Sequence, residues 1–386
     1  MMKIVRRIPM ETSTRTRHIR NISIKESNMR FHHYLIVTVV PFAAFAHHGP
    51  GQFDASQQVE ITGAVTEVRF VNPHGYIYFD VTESDGTITP WRCELQAGSL
   101  LRRAGWTEDL FPIGETITVT GSQGRLEPHA CALRSVVLAD GSVLQRYDQR
   151  RVLDAPTGSA DRLVAGRLQL SGTWAAPQRN PQGGAGGGGM APGMGAPPAM
   201  GMGGGPAMAL TDAGREAIEG LSHQEDNPRF HCMAVNILFD WEFDRHVNEV
   251  IQTDNEITLR YGFMDIVRTI RIDMDEHPDD IVSSRAGHSI GRWEDGALIV
   301  DTIGFEEGFI VAGPGGLVPH SEDLHVVERF TYDAETQGLT RNYTAEDPDF
   351  FTGAYTGEDT VFPSYVPFEP YDCVELKDAF LEDPNG

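Results

Sequence analysis

Two histidines follow a small-x-small tripeptide in AFAHHGPGQFD, Ala44 to Asp54. Cleavage after Ala46 would leave His47 as the first residue, and its α-amine and imidazole can together chelate a metal ion from a single residue. A further nitrogen from His48, from His74 in VNPHG or from His129 in LEPHA would give the nitrogen-rich tetragonal set that favours Cu(II). The expected metal set is therefore His47, His48, His74 and His129, with copper as the candidate cofactor. A second group lies downstream. His288, His320 and His325 fall in or beside GHSIGRWEDGALIVDTIGF and PHSEDLHVVERF, with Asp301 and Glu328 on strands nearby. Period-two alternation puts His325, Val327 and Arg329 on one face, and Leu324, Val326, Glu328 and Phe330 on the other. If the apolar face is the core, Glu328 is a buried charge that needs Arg292 or a neighbour of Arg329 as partner. A buried carboxylate beside histidine can serve as general acid or base in an isomerase, cyclase or hydrolase, or can be a structural ion pair inside a barrel. Both readings stay open.

Other chemistry has little to work with. HExxH is absent, no GxGxxG opens a helix, and no cysteine is set as a nucleophile. Removing residues 1–46 takes away eight Lys/Arg and two Asp/Glu, so 31 basic against 55 acidic residues becomes 23 against 53, a formal charge of -30. Such a field repels phosphate backbones and anionic lipid, which argues against nucleic-acid and membrane partners. Lys377 is the only lysine left, so Schiff-base and P-loop mechanisms lack their residue.

The elements that must position these groups begin with export. YLIVTVVPFAAF (Tyr34 to Phe45) has the length of a signal-peptide apolar region and is shorter than the roughly 20 residues of a membrane span. Residues 1–46 read as a signal peptide, with Met29 as the expected start, and the mature protein as periplasmic or secreted. Cys93, Cys131, Cys232 and Cys373 follow it, two on each side of a Gly/Pro/Met-rich tract from Gln178 to Met208. Four cysteines allow three connectivities; Cys93 with Cys131 and Cys232 with Cys373 is the choice that keeps each bridge in one domain. Residues 151–208 read as linker, low-complexity from 178, and its methionines are soft donors that could assist Cu(I).

Residues 47–150 carry five or six short strands, VEITGAVTEVRF, GYIYFDVTESDG, ITPWRCEL, ETITVTGSQG and CALRSVVLADGSVL, with one helix in AGSLLRRAGW. Short strands with one inserted helix predict a small closed barrel of the OB type, since closure removes exposed edges. Residues 209–386 carry NILFDWEF, ITLRYGFMDIVRTIRIDM, the hairpin GRWEDGALIVDTIGF with Asp295-Gly296 at its tip, DLHVVERFTYDAETQGLTRNYTAEDP and DCVELKD. About eight antiparallel strands predict a larger, lipocalin-like barrel. The one helix in this half is LTDAGREAIEGL, capped by Thr211. The fold class is all-β: two barrels joined by the linker.

HHGPGQFD, EITGAVTEVRFVNPHGYIYFDV, PWRCEL and LLRRAGWTEDLFPIGETITVTGS resemble the exported bacterial family DUF6152, whose pattern joins an HH start, an N-P-H turn and an L-x-R-x-G-W helix. The resemblance spans about Ala46 to Tyr147 and implies export and a small β domain, with no activity attached. GHSIGRWEDGALIVDTIGF and PHSEDLHVVERF resemble an uncharacterised exported bacterial group, over roughly Asn227 to Val374. The sequence thus leads us to expect a binding protein for a metal ion or small apolar ligand, with a cofactor-free acid/base enzyme in the C-terminal barrel as the alternative.

Overall fold

The computed structural model describes residues 52–125, 127–150, 161–176, 208–222, 226–312 and 316–374. His47, His48, the expected signal peptide and the low-complexity tract up to residue 207 lie outside them.

The first barrel begins with a long strand, β1 (Phe53–Arg69), whose register shifts at Asp54/Gln58 and Val65/Glu67 bend it between two partners. Its second half pairs with β2 (Tyr76–Thr82) and its first half with β4 (Thr116–Gly124). Next to β2 runs β3 (Ile88–Glu94), and next to β4 runs β5 (Ala130–Val137), with β6 (Val143–Gln145) on its outside. A parallel pairing of β3 with β5 closes the sheet, which is the OB connectivity expected from the strand count. Alternate residues Ile77, Phe79, Cys93, Val119, Cys131 and Leu133 fill the interior. Helix α1 (Gly98–Arg103) lies between β3 and β4. Its first residue must be glycine, because a Cβ there would stand 2.2 Å from the Phe70 carbonyl oxygen.

After a two-strand ribbon, β7 (Leu163–Val164) and β8 (Arg167–Leu168), the second barrel takes β9 (Gly172–Ala175) as one of its nine strands. Helix α2 (Asp212–Ile218) follows, with the Thr211 hydroxyl accepting from the Gly214 N–H as an N-cap. Then come β10 (Asn248–Gln252), β11 (Glu256–Arg260), β12 (Val267–Arg271), β13 (His288–Glu294) and β14 (Ala297–Ile303). A separate hairpin, β15 (Gly308–Ala312) with β16 (Gly316–His320), precedes β17 (His325–Asp333), β18 (Gly338–Glu346) and β19 (Tyr355–Pro363). The barrel closes in the order β10-β11-β12-β13-β14-β17-β18-β19-β9. All its pairings are antiparallel except β12 with β13. Both barrels belong to one compact unit. Among the described residues no helix is long and apolar enough to cross a membrane.

Two elements differ from expectation. Residues 172–175 fall in the stretch read as linker, yet form a barrel strand; four residues are too few to show alternation, and what fixes them is burial of Trp174, whose indole N–H donates to the Leu170 carbonyl. NILFDWEF is not a strand. The Asn236 side-chain oxygen accepts from the N–H groups of Leu238 and Phe239, and the Asp240 carboxylate accepts from Val235 N–H, so local side chains take the groups a ladder would need. The segment turns inward, buries Trp241, and hands the carbonyls of Ile237 and Leu238 to Arg341. The barrel interior is accordingly packed with Trp174, Trp241, Tyr261, Arg268 and Arg341.

Candidate functional site

The seam between the barrels is built around Asn72 of the N-P-H turn. This side chain is 1 % exposed. Its oxygen accepts from the backbone N–H and the hydroxyl of Ser99, its amide donates to the Tyr371 carbonyl, and its own carbonyl accepts from Val374 N–H. Ser99, on the first turn of α1, also lies 3.1 Å from Nδ1 of His246. The His246 ring stacks on Phe263 and meets Tyr371 edge-on, and its Nε2 has no hydrogen-bond partner. Burial, and then the Arg103 cation, lowers its pKa to about 3.

Arg103 is the other buried polar group here. It donates to the carbonyls of Arg245 and Ala176, its Nε is unpartnered, and no carboxylate pairs with it among the described residues. Burial, and then Arg245, lowers its pKa to about 10, so the guanidinium is still a cation at neutral pH. Arg102 is bonded to Glu369 at 2.9 Å and to the Phe70 carbonyl. Ser99, Arg102, Arg103, Arg150, His246 and Glu369 line a cavity of about 540 Å³.

The neutrality of His246 has a pH consequence. An unfolded histidine titrates near pH 6.5, whereas His246 in the fold resists protonation until about pH 3. Between these values the unfolded chain binds more protons, so stability is complete above pH 6.5 and falls as pH falls, by roughly 1 kcal/mol per unit from this group. Urea midpoints at pH 7.5, 5.5 and 4.5 should therefore decline more steeply in the parent than in His246→Gln. Parallel declines would show that the ring does not carry the dependence.

The histidines expected to do acid/base chemistry separate into two places. On the outer face of the second barrel, Asp301 of β14 accepts from His325 Nε2 at 3.1 Å and from His277 Nε2 at 3.0 Å; the second nitrogen of His277, Nδ1, stands 2.8 Å from His288 Nδ1. His277 was not anticipated. It comes from the β12–β13 connection, and the only hint of it in the sequence is a single histidine inside the acidic run DMDEHPDD. Burial alone would raise the Asp301 pKa, but the two imidazole hydrogen bonds bring it below the usual carboxylate range. His320 stands apart, buried at the end of β16, with Nδ1 on the Ser321 carbonyl and its ring edge-on to Phe305.

Glu328 is the buried charge that the alternation requires, but its neighbours are neither histidine nor Arg292. It is 0 % exposed on the inner face, paired with Arg268 of β12 and at 3.2 Å with Arg341 of β18. Arg292 instead pairs with Glu294 on the surface. Burial would raise the Glu328 pKa; the two guanidiniums hold it below normal. Glu328 and Asp301 are separated by pleat: Glu328 pairs with Val300 and Asp301 with Val327, so their side chains leave opposite faces of the same sheet. The expected partnership of Glu328 with the histidines is therefore corrected. GHSIG spells the G-x-S-x-G of a nucleophile elbow, but Ser289 is buried in mid-strand and bonded to Arg268 and Thr302. It lacks the strand-to-helix turn that would expose a nucleophile.

Of the expected metal set, His74 lies 3.3 Å from Glu94, and His129 packs its ring on Trp91. No contact joins them, and the described residues gather no group of three or more metal-ligating side chains. The cysteines do come together as expected, Cys93 bonded to Cys131 and Cys232 to Cys373.

The fold and the cleft define a class: a two-barrel β protein, an OB-type domain docked on a packed nine-stranded barrel, with a ligand-sized cavity at the seam. Residues 35–131 match the model of a family of unknown function, DUF6152, a span that takes in most of the OB-type barrel and the N-P-H and L-x-R-x-G-W residues at the seam. No curated protein matches the chain.

Proposed function

We propose that the protein is exported, to the periplasm or beyond, and binds a small organic anion in the cleft between its barrels. The observation behind this is Arg103, a buried cation bonded only to carbonyls, lining a cavity together with neutral His246. An isolated buried charge is costly unless paired, and the carboxylate of a ligand in the cavity supplies the missing counter-charge. Arg150 adds positive charge at the same cavity, where Arg102 is offset by its partner Glu369, and the excess of cations is a local inversion in a chain of formal charge -24. A cleft of this size and polarity suits a small acid better than the metal ion or apolar ligand expected from the sequence. Export is supported by two disulfides and by the apolar run and small-x-small site that end at Ala46.

Protein recovered from the exported fraction should begin at His47 on N-terminal sequencing and release a small acid on denaturation, identifiable by mass spectrometry. Calorimetry with mono-, di- and hydroxycarboxylates should find a binder that Arg103→Met weakens at least tenfold while circular dichroism still reports the folded barrels. A panel with no binder and no co-purified acid, or unchanged affinity in Arg103→Met, would overturn the cleft as a binding site.

A further inference from the structure

We infer that His277 and His288 form a two-histidine site for a divalent transition metal of the Cu(II) type on the outer face of the second barrel, with Asp301 as the group that orients it. The hydrogen bonds dictate the ring chemistry. Asp301 carries no donor when ionised, so His277 must present Nε2–H to it. The Nδ1 of His277 is then a lone pair, and it faces Nδ1 of His288 at 2.8 Å. A metal-bound histidine whose other N–H is held by a carboxylate is the arrangement that fixes the tautomer and raises ligand basicity.

The spacing discriminates among metals. With bonds of about 2.0 Å, two nitrogens in adjacent corners of a square lie about 2.8 Å apart, whereas tetrahedral coordination requires about 3.3 Å. The observed separation suits the square, the preference of Cu(II) and Ni(II), over the tetrahedron of Zn(II). Two further positions remain for water or an exogenous ligand. Both ligands are partly exposed, the His277 side chain at 13 %, and solvent reaches the cluster beside them at Asp301 and His325, 28 % and 40 % exposed. Five carboxylates flank His277 in sequence, Asp273, Asp275, Glu276, Asp279 and Asp280, against the Arg271 cation near His288, itself paired with Glu256, and the balance favours cations. A shared proton is the competing occupant of the gap between the rings, and the experiment separates the two.

Full-length mature protein carrying His47→Ala and His48→Ala, so that copper at the N-terminus cannot mask the site, serves as parent. Titrated with Cu(II), it should bind one ion with an electron paramagnetic resonance spectrum showing at least two equatorial imidazole nitrogens. His277→Ala and His288→Ala should each weaken binding at least tenfold and remove a nitrogen from the spectrum. Asp301→Asn should keep both nitrogens and weaken binding about tenfold, the size of effect an orienting carboxylate has. Zn(II) should bind more weakly than Cu(II). A parent spectrum without imidazole coordination overturns the inference with no variant needed, and so do folded His277→Ala and His288→Ala proteins that bind copper as the parent does. In either case the 2.8 Å contact is an ordinary hydrogen bond.

Discussion

Glu328→Gln should lower the stability of the protein by about 3–5 kcal/mol, the cost of breaking a buried ion pair from one side. Glu328 sits between Arg268 and Arg341, which is itself shared with Asp359; two guanidiniums and two carboxylates balance inside the barrel. Removing one carboxylate strands the buried Arg268 guanidinium, whose ion-pair partner among the described residues is Glu328, while Arg341 keeps Asp359. Urea denaturation measures the loss. The double variant Glu328→Leu with Arg268→Met should be less destabilised than Glu328→Gln alone, because it removes opposite charges together and leaves Arg341 with Asp359. A single-variant loss under about 1 kcal/mol, the worth of a surface pair, would mean that the network is solvated and the barrel interior loosely packed.

Breaking the Cys232–Cys373 bridge should have an effect of similar size. The bonded residues are 141 apart in sequence, and in the chain-entropy account a loop of that length stabilises by about 5 kcal/mol, against about 4 for the shorter Cys93–Cys131 loop. The longer bridge also secures the segment that carries Tyr371 and Val374 onto Asn72. Cys232→Ser with Cys373→Ser should therefore lose more stability than Cys93→Ser with Cys131→Ser, and should in addition weaken binding in the seam cleft. Equal losses, or an intact cleft affinity in the first double variant, would show that the seam holds without its bridge.

What the sequence determined by itself is what depends on neighbours a few residues away. Alternation placed Glu328 inside and His325 outside; Thr211 capped its helix; Asp295-Gly296, both at positive φ, closed the β13–β14 hairpin between Glu294 and Ala297. The two disulfides were legible because the Gly-rich tract divides the cysteines into pairs, and the OB barrel because short strands with one inserted helix have few ways to hide their edges. Tertiary structure alone decided the partners. Asn72 meets Tyr371 across 299 residues, Arg103 meets Arg245 across 142, and Glu328 takes Arg268 and Arg341 from other strands, not Arg292. Residues 172–175 became a barrel strand through what Trp174 could bury, and His277 reached Asp301 because a long connection folds back over the sheet. The physical reason is range. Periodicity, caps and turn residues act through local backbone geometry that a sequence displays directly. A buried cation, by contrast, accepts any carbonyl or carboxylate that the completed packing brings within hydrogen-bond distance, and no local pattern names which one that will be.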